Sequence, residues 1–419
     1  VQQASIFRAV HAAYAAAGER EVSNDALYDA VGAMIGTTPS QFRERSPIGR
    51  GGAKHGRLTR TARWVQQTMR ARGWLERAPD KRGVWRLTST GRAKLHAPRD
   101  GQVLIGFSTR LGVALVGNCR DAFHSFGEPI HLILTSPPYP LAHQRNYGNV
   151  PEAEYVDFLC ACFEPVVRWL APGGSVVLSI GQDIFVSGSP ARSLFIERLT
   201  LALHDRLGLH LMDRAIWDVP NKPPGPVQWA SIKRMQLNVG YEFCLVFCNE
   251  PALSFADNRR VLLPHTDQHR KLIARGGEQR TARYSDGAYT IREGSYSRAT
   301  AGRIPRNVMH LPHNCASQRA YKKASKALGL PAHGAPFPVA LADFWIRFLT
   351  EPDHLTVDPM SGSNTVGVAA EALGQRWAST ELFAEHVRGA ATRFPDAWIN
   401  PLLDALAHPQ EASQSRLFV

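Results

Sequence analysis

Thr135-Ser136-Pro137-Pro138-Tyr139 is the segment of this 419-residue chain whose residue types point most directly to chemistry. Two adjacent prolines fix the backbone just beyond the apolar run His131-Leu132-Ile133-Leu134, so the Ser136 and Pro137 carbonyls point in set directions. Tyr139 presents a ring beside them. Such a corner grips an exocyclic amine: one N–H goes to the Ser136 hydroxyl, another to the Pro137 carbonyl, and the nitrogen lone pair leaves conjugation and becomes nucleophilic. Tyr139 would stack on the ring that carries the amine. A base inside a duplex cannot reach this corner, so its nucleotide must flip out.

A second constellation lies far down the chain. Asp358-Pro359-Met360-Ser361-Gly362-Ser363-Asn364-Thr365 follows an apolar strand at 355–357 and precedes a helix at 366–373. A glycine turn there lets backbone N–H groups approach a ligand at the helix N-terminus. Glu381 closes the next strand, 377–380, where a carboxylate can accept both hydroxyls of a ribose. Turn and carboxylate together read as a nucleoside site. No C-x-x-C pair begins a metal site.

These residues need strands and helices to hold them. From Gly112 the pattern alternates: strands at 113–116, 131–134, 175–180, 211–217 and 241–247, with helices at 121–126, 152–170 and 194–207. It resumes with a helix at 339–349, the strands at 355–357 and 377–380, and a helix at 384–394. This is the grammar of a doubly wound α/β sheet. The stretch 250–335 has little apolar periodicity and many Arg, Gly, Tyr and His, which predicts loop or a small insert. Residues 1–100 read differently, as short helices at 26–35 and 58–71 followed by a hairpin, 74–77 and 84–87, around a turn at 79–83.

Charge sorts by location. Residues 43–99 carry 16 Lys/Arg against three acids, and 259–326 carry 15 against four. Two basic regions imply a polyanionic partner, most simply nucleic acid. In the first, Arg57, Arg60 and Arg63 line one helix while Lys81 and Arg82 sit in the hairpin turn. In the second, Arg283 and Arg298 lie among Tyr284, Tyr289, Tyr296 and Tyr321, whose rings suit unstacked bases. Hydrophobic residues make up 44% and no stretch reaches the ~18 apolar residues of a membrane span, so a soluble chain without a membrane partner is expected. The first twenty residues lack the apolar core and cleavage site of a signal peptide. Six scattered cysteines are too few for a disulfide framework, which suits a reducing cytoplasm.

The Ser-Pro-Pro-Tyr segment resembles that of the amino-group DNA methyltransferases, specifically those with Ser before Pro-Pro-Tyr, which usually act on cytosine N4. An acidic or amide residue there usually accompanies adenine N6, but a hydroxyl can serve either amine. Both alternatives stay open, as does a third, an inactive methyltransferase-fold DNA-binding regulator. The family pattern Asp-Pro-Phe-x-Gly-Ser-Gly-Thr is matched at 358–365, with Met360 and Asn364 where Phe and the last Gly would stand. The resemblance implies S-adenosylmethionine as cofactor, held by Asp358, Pro359, Ser361, Gly362, Ser363, Asn364, Thr365 and Glu381. It adds Phe337, within His333-Gly334-Ala335-Pro336-Phe337-Pro338, against the methionine part and Asn118, after Gly117, near adenine. Asn221 and Lys222 resemble the segment lining the target-base pocket, with Lys222 a DNA contact.

The order, catalytic motif first and cofactor motif last, resembles the circularly permuted beta class of these enzymes. The implied architecture is a permuted Rossmann-like methyltransferase sheet with an N-terminal winged-helix-like domain and an inserted basic target-recognition region. Its expected boundaries are 1–100, 111–250, 251–330 for the insert and 331–400, with a tail at 401–419. Double-stranded DNA is the implied substrate and a cognate restriction endonuclease a candidate partner. A monomer or homodimer, cytoplasmic and nucleoid-associated, fits that resemblance.

Overall fold

The computed structural model describes residues 6, 9–10, 13–14, 17, 20–47, 54–71, 74–79, 81–88, 101–140, 150–334 and 336–407. At the N-terminal end, β1 (Val22–Ser23) leads into α1 (Asn24–Met34), whose first turn is capped by the Ser23 hydroxyl accepting from the Ala26 N–H (3.1 Å). A capping box between Thr38 and Gln41 starts α2 (Pro39–Arg43). Strands β2 (Arg45–Pro47) and β3 (Lys54–Gly56) pair ahead of α3 (Arg57–Ala71). The hairpin β4 (Leu75–Arg77) and β5 (Val84–Leu87) then joins β1 in a three-stranded antiparallel sheet.

This unit has its own core, built from Tyr14, Leu27, Val31, Phe42, Val65, Met69, Trp74 and Trp85. One member comes from far along the chain: Phe383, with Leu382 packed beside it.

The remainder forms a ten-stranded mixed sheet. Its strands are β6 (Leu104–Ser108), β7 (Gly112–Val116), β8 (Ile130–Thr135), β9 (Leu170–Ile180), β10 (His210–Asp218), β11 (Tyr241–Cys248), β14 (Val308–His310), β15 (Leu355–Asp358), β16 (Arg376–Glu381) and β17 (Trp398–Ile399). The order is β14-β10-β11-β9-β8-β15-β16-β7-β6-β17, and the five from β9 to β7 are mutually parallel. Their near-continuous apolar runs follow from burial on both faces. Helices α4 (Cys119–Ala122), α5 (Glu152–Val167) and α6 (Phe195–Leu207) belong to the first half of the sheet. In the second half come α7 (Asp267–Ala274), α8 (Ala316–Ala327), α9 (Val339–Leu349), α10 (Thr365–Ala372), α11 (Ala384–Ala391) and α12 (Pro401–Ala407).

β8 and β15 are neighbours, with Thr356 opposite Leu132 and Val357 opposite Ile133. The Ser-Pro-Pro-Tyr segment and the Asp358 turn therefore leave adjacent strands at the same sheet edge, where ligands of parallel α/β sheets bind.

Three stretches differ from expectation. β6, in residues left outside the expected domain bounds, pairs with β7, so the sheet begins before residue 111. Within 251–330 only a short hairpin, β12 (Ala282–Tyr284) and β13 (Tyr289–Ile291), and α7 stand apart from the sheet. β14 pairs with β10, and α8 buries Tyr321 and Ser325 where Ser325 Oγ meets Gly389 of α11. Residues 401–407 are not tail but helix, with Leu403 and Ala407 fully buried; 408–419 lie outside the described residues.

Candidate active site

At the end of β8 the Ser136 hydroxyl lies 3.2 Å from the Tyr139 phenol oxygen. The phenol in turn donates to Glu242 Oε2 (2.8 Å), at the start of β11, and lies 3.3 Å from the Ser179 carbonyl of β9. Lys222 Nζ donates to Glu242 Oε1 (3.0 Å) in a largely enclosed ion pair. With its one proton committed to the carboxylate, the phenol accepts from Ser136, and a directional chain runs Ser136–Tyr139–Glu242–Lys222. Burial and the Glu242 charge push the phenol well above its ordinary 10, so it stays a neutral donor. A Cβ on Gly181 would come within 2.7 Å of the Tyr139 ring, so only glycine lets the ring lie against the end of β9.

The turn after β15 is equally determined. Gly362 has φ +51 and Asn364 φ +54, both left-handed. Asn364, standing where the family pattern has glycine, keeps the path because asparagine tolerates this region. Its side chain caps α10 by accepting from the Gly367 N–H (3.2 Å). Asp358 is buried and accepts from the Met360 N–H (3.1 Å); burial pushes it up to about 7, and the Glu381 charge adds to that. Glu381 Oε2 accepts from the Gly362 N–H (2.9 Å) and Oε1 from the Phe383 N–H (3.0 Å). Burial alone would raise Glu381, but His386, with Nδ1 3.7 Å away, and His333 hold it below its ordinary value. The His333 ring lies over Gly362, where a Cβ would sit 2.9 Å from it. Arg393 ties the turn down from below, donating to the Ser363 carbonyl (2.8 Å), Thr365 Oγ1 (3.2 Å) and Ser317 Oγ (2.9 Å).

A sequence model of the DNA methylase family matches residues 130–392. The chain belongs to the DNA methylase family. The Type II methyltransferase M.PvuII of Proteus hauseri is 33% identical over 291 residues, 69% of this chain and 85% of that protein. A solved structure of the PvuII DNA methyltransferase (cytosine-N4-specific) superposes with a TM-score of 0.56 at 29% identity, covering 72% of this chain and 94% of that one. The Type II methyltransferase M.SfiI of Streptomyces fimbriatus is 35% identical over 133 residues, 27% of this chain and 31% of its own.

The remaining expected site residues of this DNA methylase fall in several surroundings. Pro137 is buried and Pro138 half-buried beside Ser136. Pro359 accepts from the Thr380 hydroxyl (2.6 Å) and the Ser361 N–H donates to the Thr380 carbonyl (2.9 Å), which seats the turn on β16. Asn118 caps α4, accepting from the Arg120 N–H (3.1 Å), while the Gly117 N–H donates to the Glu381 carbonyl (2.9 Å). Phe337 is buried in the core with Leu341 and Trp345. Lys222, expected to contact DNA in the segment lining the target-base pocket, is the partner of Glu242 next to Tyr139, because burial of that carboxylate demands a cation.

Arg60, Arg82, Arg283 and Arg298 are exposed, and exposed Arg63 donates to the Tyr28 hydroxyl (2.7 Å). The Arg57 side chain lies outside the described residues. Lys81 pairs with Glu21 (2.7 Å) and Arg43 with Asp29 (2.7 Å), so folding returns part of the first basic region's charge to acids nearer the N-terminus. Glu242, Arg393 and His386 belong to the site without any motif that marks them for it, and His333 entered only as the first residue of the segment quoted for Phe337. Glu242 alone carried a signal, as the charged residue of an otherwise apolar strand.

Proposed function

We propose that this DNA methylase transfers a methyl group from S-adenosylmethionine to the exocyclic N4 amine of a cytosine flipped out of double-stranded DNA. The observation that carries the reading is the Ser136–Tyr139–Glu242 hydrogen-bond chain on the strand next to the Asp358 turn. Similarity to M.PvuII over most of both chains supports N4 of cytosine as the acceptor. The donor fits the residues present: a buried carboxyl raised by isolation, Asp358, favours a cationic ligand, and Glu381 offers oxygens to a ribose. When bound, S-adenosylmethionine supplies an electrophilic methyl group on a sulfonium.

The chain's own groups do the rest. Ser136 and the Pro137 carbonyl hold the amine so that its lone pair faces the donor, and Tyr139 packs the base. As the N–C bond forms and the S–C bond breaks, one amine proton must leave. It passes to Ser136 Oγ while the Ser136 proton moves to Tyr139 and the phenol proton to Glu242. The exposed Arg60, Arg82, Arg283 and Arg298 grip phosphates, and 259–307 reads the target sequence. We read the N-terminal unit as a winged-helix-like DNA-binding module with α3 in the major groove, and the motif order as the permuted beta arrangement. A Type II relative supports a place in a restriction–modification pair with a cognate endonuclease.

The test is nucleoside mass spectrometry on DNA from cells expressing the protein. N4-methylcytosine is expected; N6-methyladenine would move the acceptor to adenine, and no methylated nucleoside would overturn the reading.

A further inference from the structure

The loop 219–240 leaves β10 and returns on β11 at the sheet edge that carries the catalytic corner, with Asp218 paired to Tyr241 beneath it. Its stem is closed by the Val219 N–H donating to the Gly240 carbonyl and the Val239 N–H to the Gly225 carbonyl, both 2.8 Å. Its head is a wide turn, Val227–Ile232, with bonds from the Lys233 N–H to the Gln228 carbonyl (3.0 Å) and the Met235 N–H to the Trp229 carbonyl (2.8 Å). Gln236 Nε2 anchors it sideways to the Pro190 carbonyl (3.0 Å).

The loop is thus braced, yet it holds its apolar residues outward. Val227, Ile232, Met235 and Leu237 are all more than half exposed, and Leu237 is 87% exposed. Clustered exposure of this kind marks an interaction surface. Beyond Lys222, which is paired to Glu242, the loop carries exposed Lys233 and Arg234 and no acid, a charge that suits a polyanion rather than an ordinary protein partner. Its root is the pocket itself, since Lys222 holds Glu242 and Glu242 holds Tyr139.

We propose that Leu237, with Met235 close by in sequence, is the wedge that enters the DNA stack when the target base leaves it. The inference rests on the flipped-base reading above and adds the residues that drive and hold the extrusion. Apolar side chains flanked by cations unstack base steps in other DNA-bending proteins, the cations holding phosphates on either side. A wedge beside the pocket lowers the cost of emptying the stack, which is greatest when the target has a pairing partner.

The experiment compares kcat/KM for methylation of two duplexes carrying the sequence found methylated in expressing cells. In one the target base is paired; in the other it faces an abasic site. Leu237→Ala is expected to lose about ten-fold or more on the paired duplex and under about two-fold on the abasic one, with Leu237→Met close to wild type on both. Equal loss on both duplexes, no loss on either, or a loss that follows dissociation of a dimer in sedimentation would overturn the wedge. Failure of the wild-type enzyme to methylate either duplex would overturn the flipped-base reading, and the wedge with it.

Discussion

On the proposed reading Ser136 holds the target amine and not the sulfonium, so Ser136→Ala is expected to lower kcat about 100-fold while the Kd for S-adenosylmethionine, measured by calorimetry, stays unchanged. Glu242→Gln removes the terminal proton acceptor but keeps the shape. It should lower kcat by a factor of about 10 to 100 without altering cofactor affinity, and leave Lys222 unpaired at a stability cost of about 3 kcal/mol by urea unfolding. Asp358 gives a pH signature. With its carboxyl at about 7, it is neutral below that pH and anionic above it. Affinity for the cationic cofactor should therefore rise with pH through about 7, and binding below that point should release a proton, visible as a buffer-dependent enthalpy. The unliganded protein runs the other way: a carboxyl raised on folding stabilises below its ordinary value and loses that contribution as pH rises through 7. Its Tm should fall between about pH 4 and 7, and Asp358→Asn should flatten that slope. Ser136, Asp358 and Glu381 were legible because motif spacing marks them. Glu242 and Arg393 were not, because their roles arise from strands and helices that only the fold brings together.

Among the elements, the best-read ones were those whose apolar residues recur at the period of the strand or helix they form. The 339–349 helix was expected at the bounds it has, and 131–134, 211–217 and 241–247 were each extended by only a few residues. β14 and α8 were missed because they hide in a basic stretch. β14 gains its place from pairing with β10, and α8 buries only a narrow face around Tyr321. The turn before α10 shows why a motif departure need not change a path. Asn364→Gly, which restores the family residue at a positive φ, should change stability by no more than about 0.5 kcal/mol. Asn364→Ala loses the cap and strains the backbone, costing about 1–2 kcal/mol in denaturant titrations, and should weaken cofactor binding.

At the scale of the whole molecule, the proposed reading gives the two basic regions separable jobs. Removing residues before 101 should weaken DNA binding and flatten its salt dependence, by roughly 0.9 in log–log slope for each phosphate the shortened chain can no longer grip. An unchanged slope in filter binding would assign the module to protein contacts instead. Such a truncation needs Phe383→Ser as a companion change, because Phe383 is a core residue of the unit being removed. That single side chain also bears on how such enzymes can be recombined. Phe383 follows two residues after the carboxylate read as the ribose contact, so the N-terminal unit is keyed to the catalytic domain rather than strung beside it. A module borrowed from another protein would arrive without a socket for that ring. Chimaeras built by simple end-to-end fusion should then lose solubility first, and swaps that graft the socket together with the module should be the ones that survive.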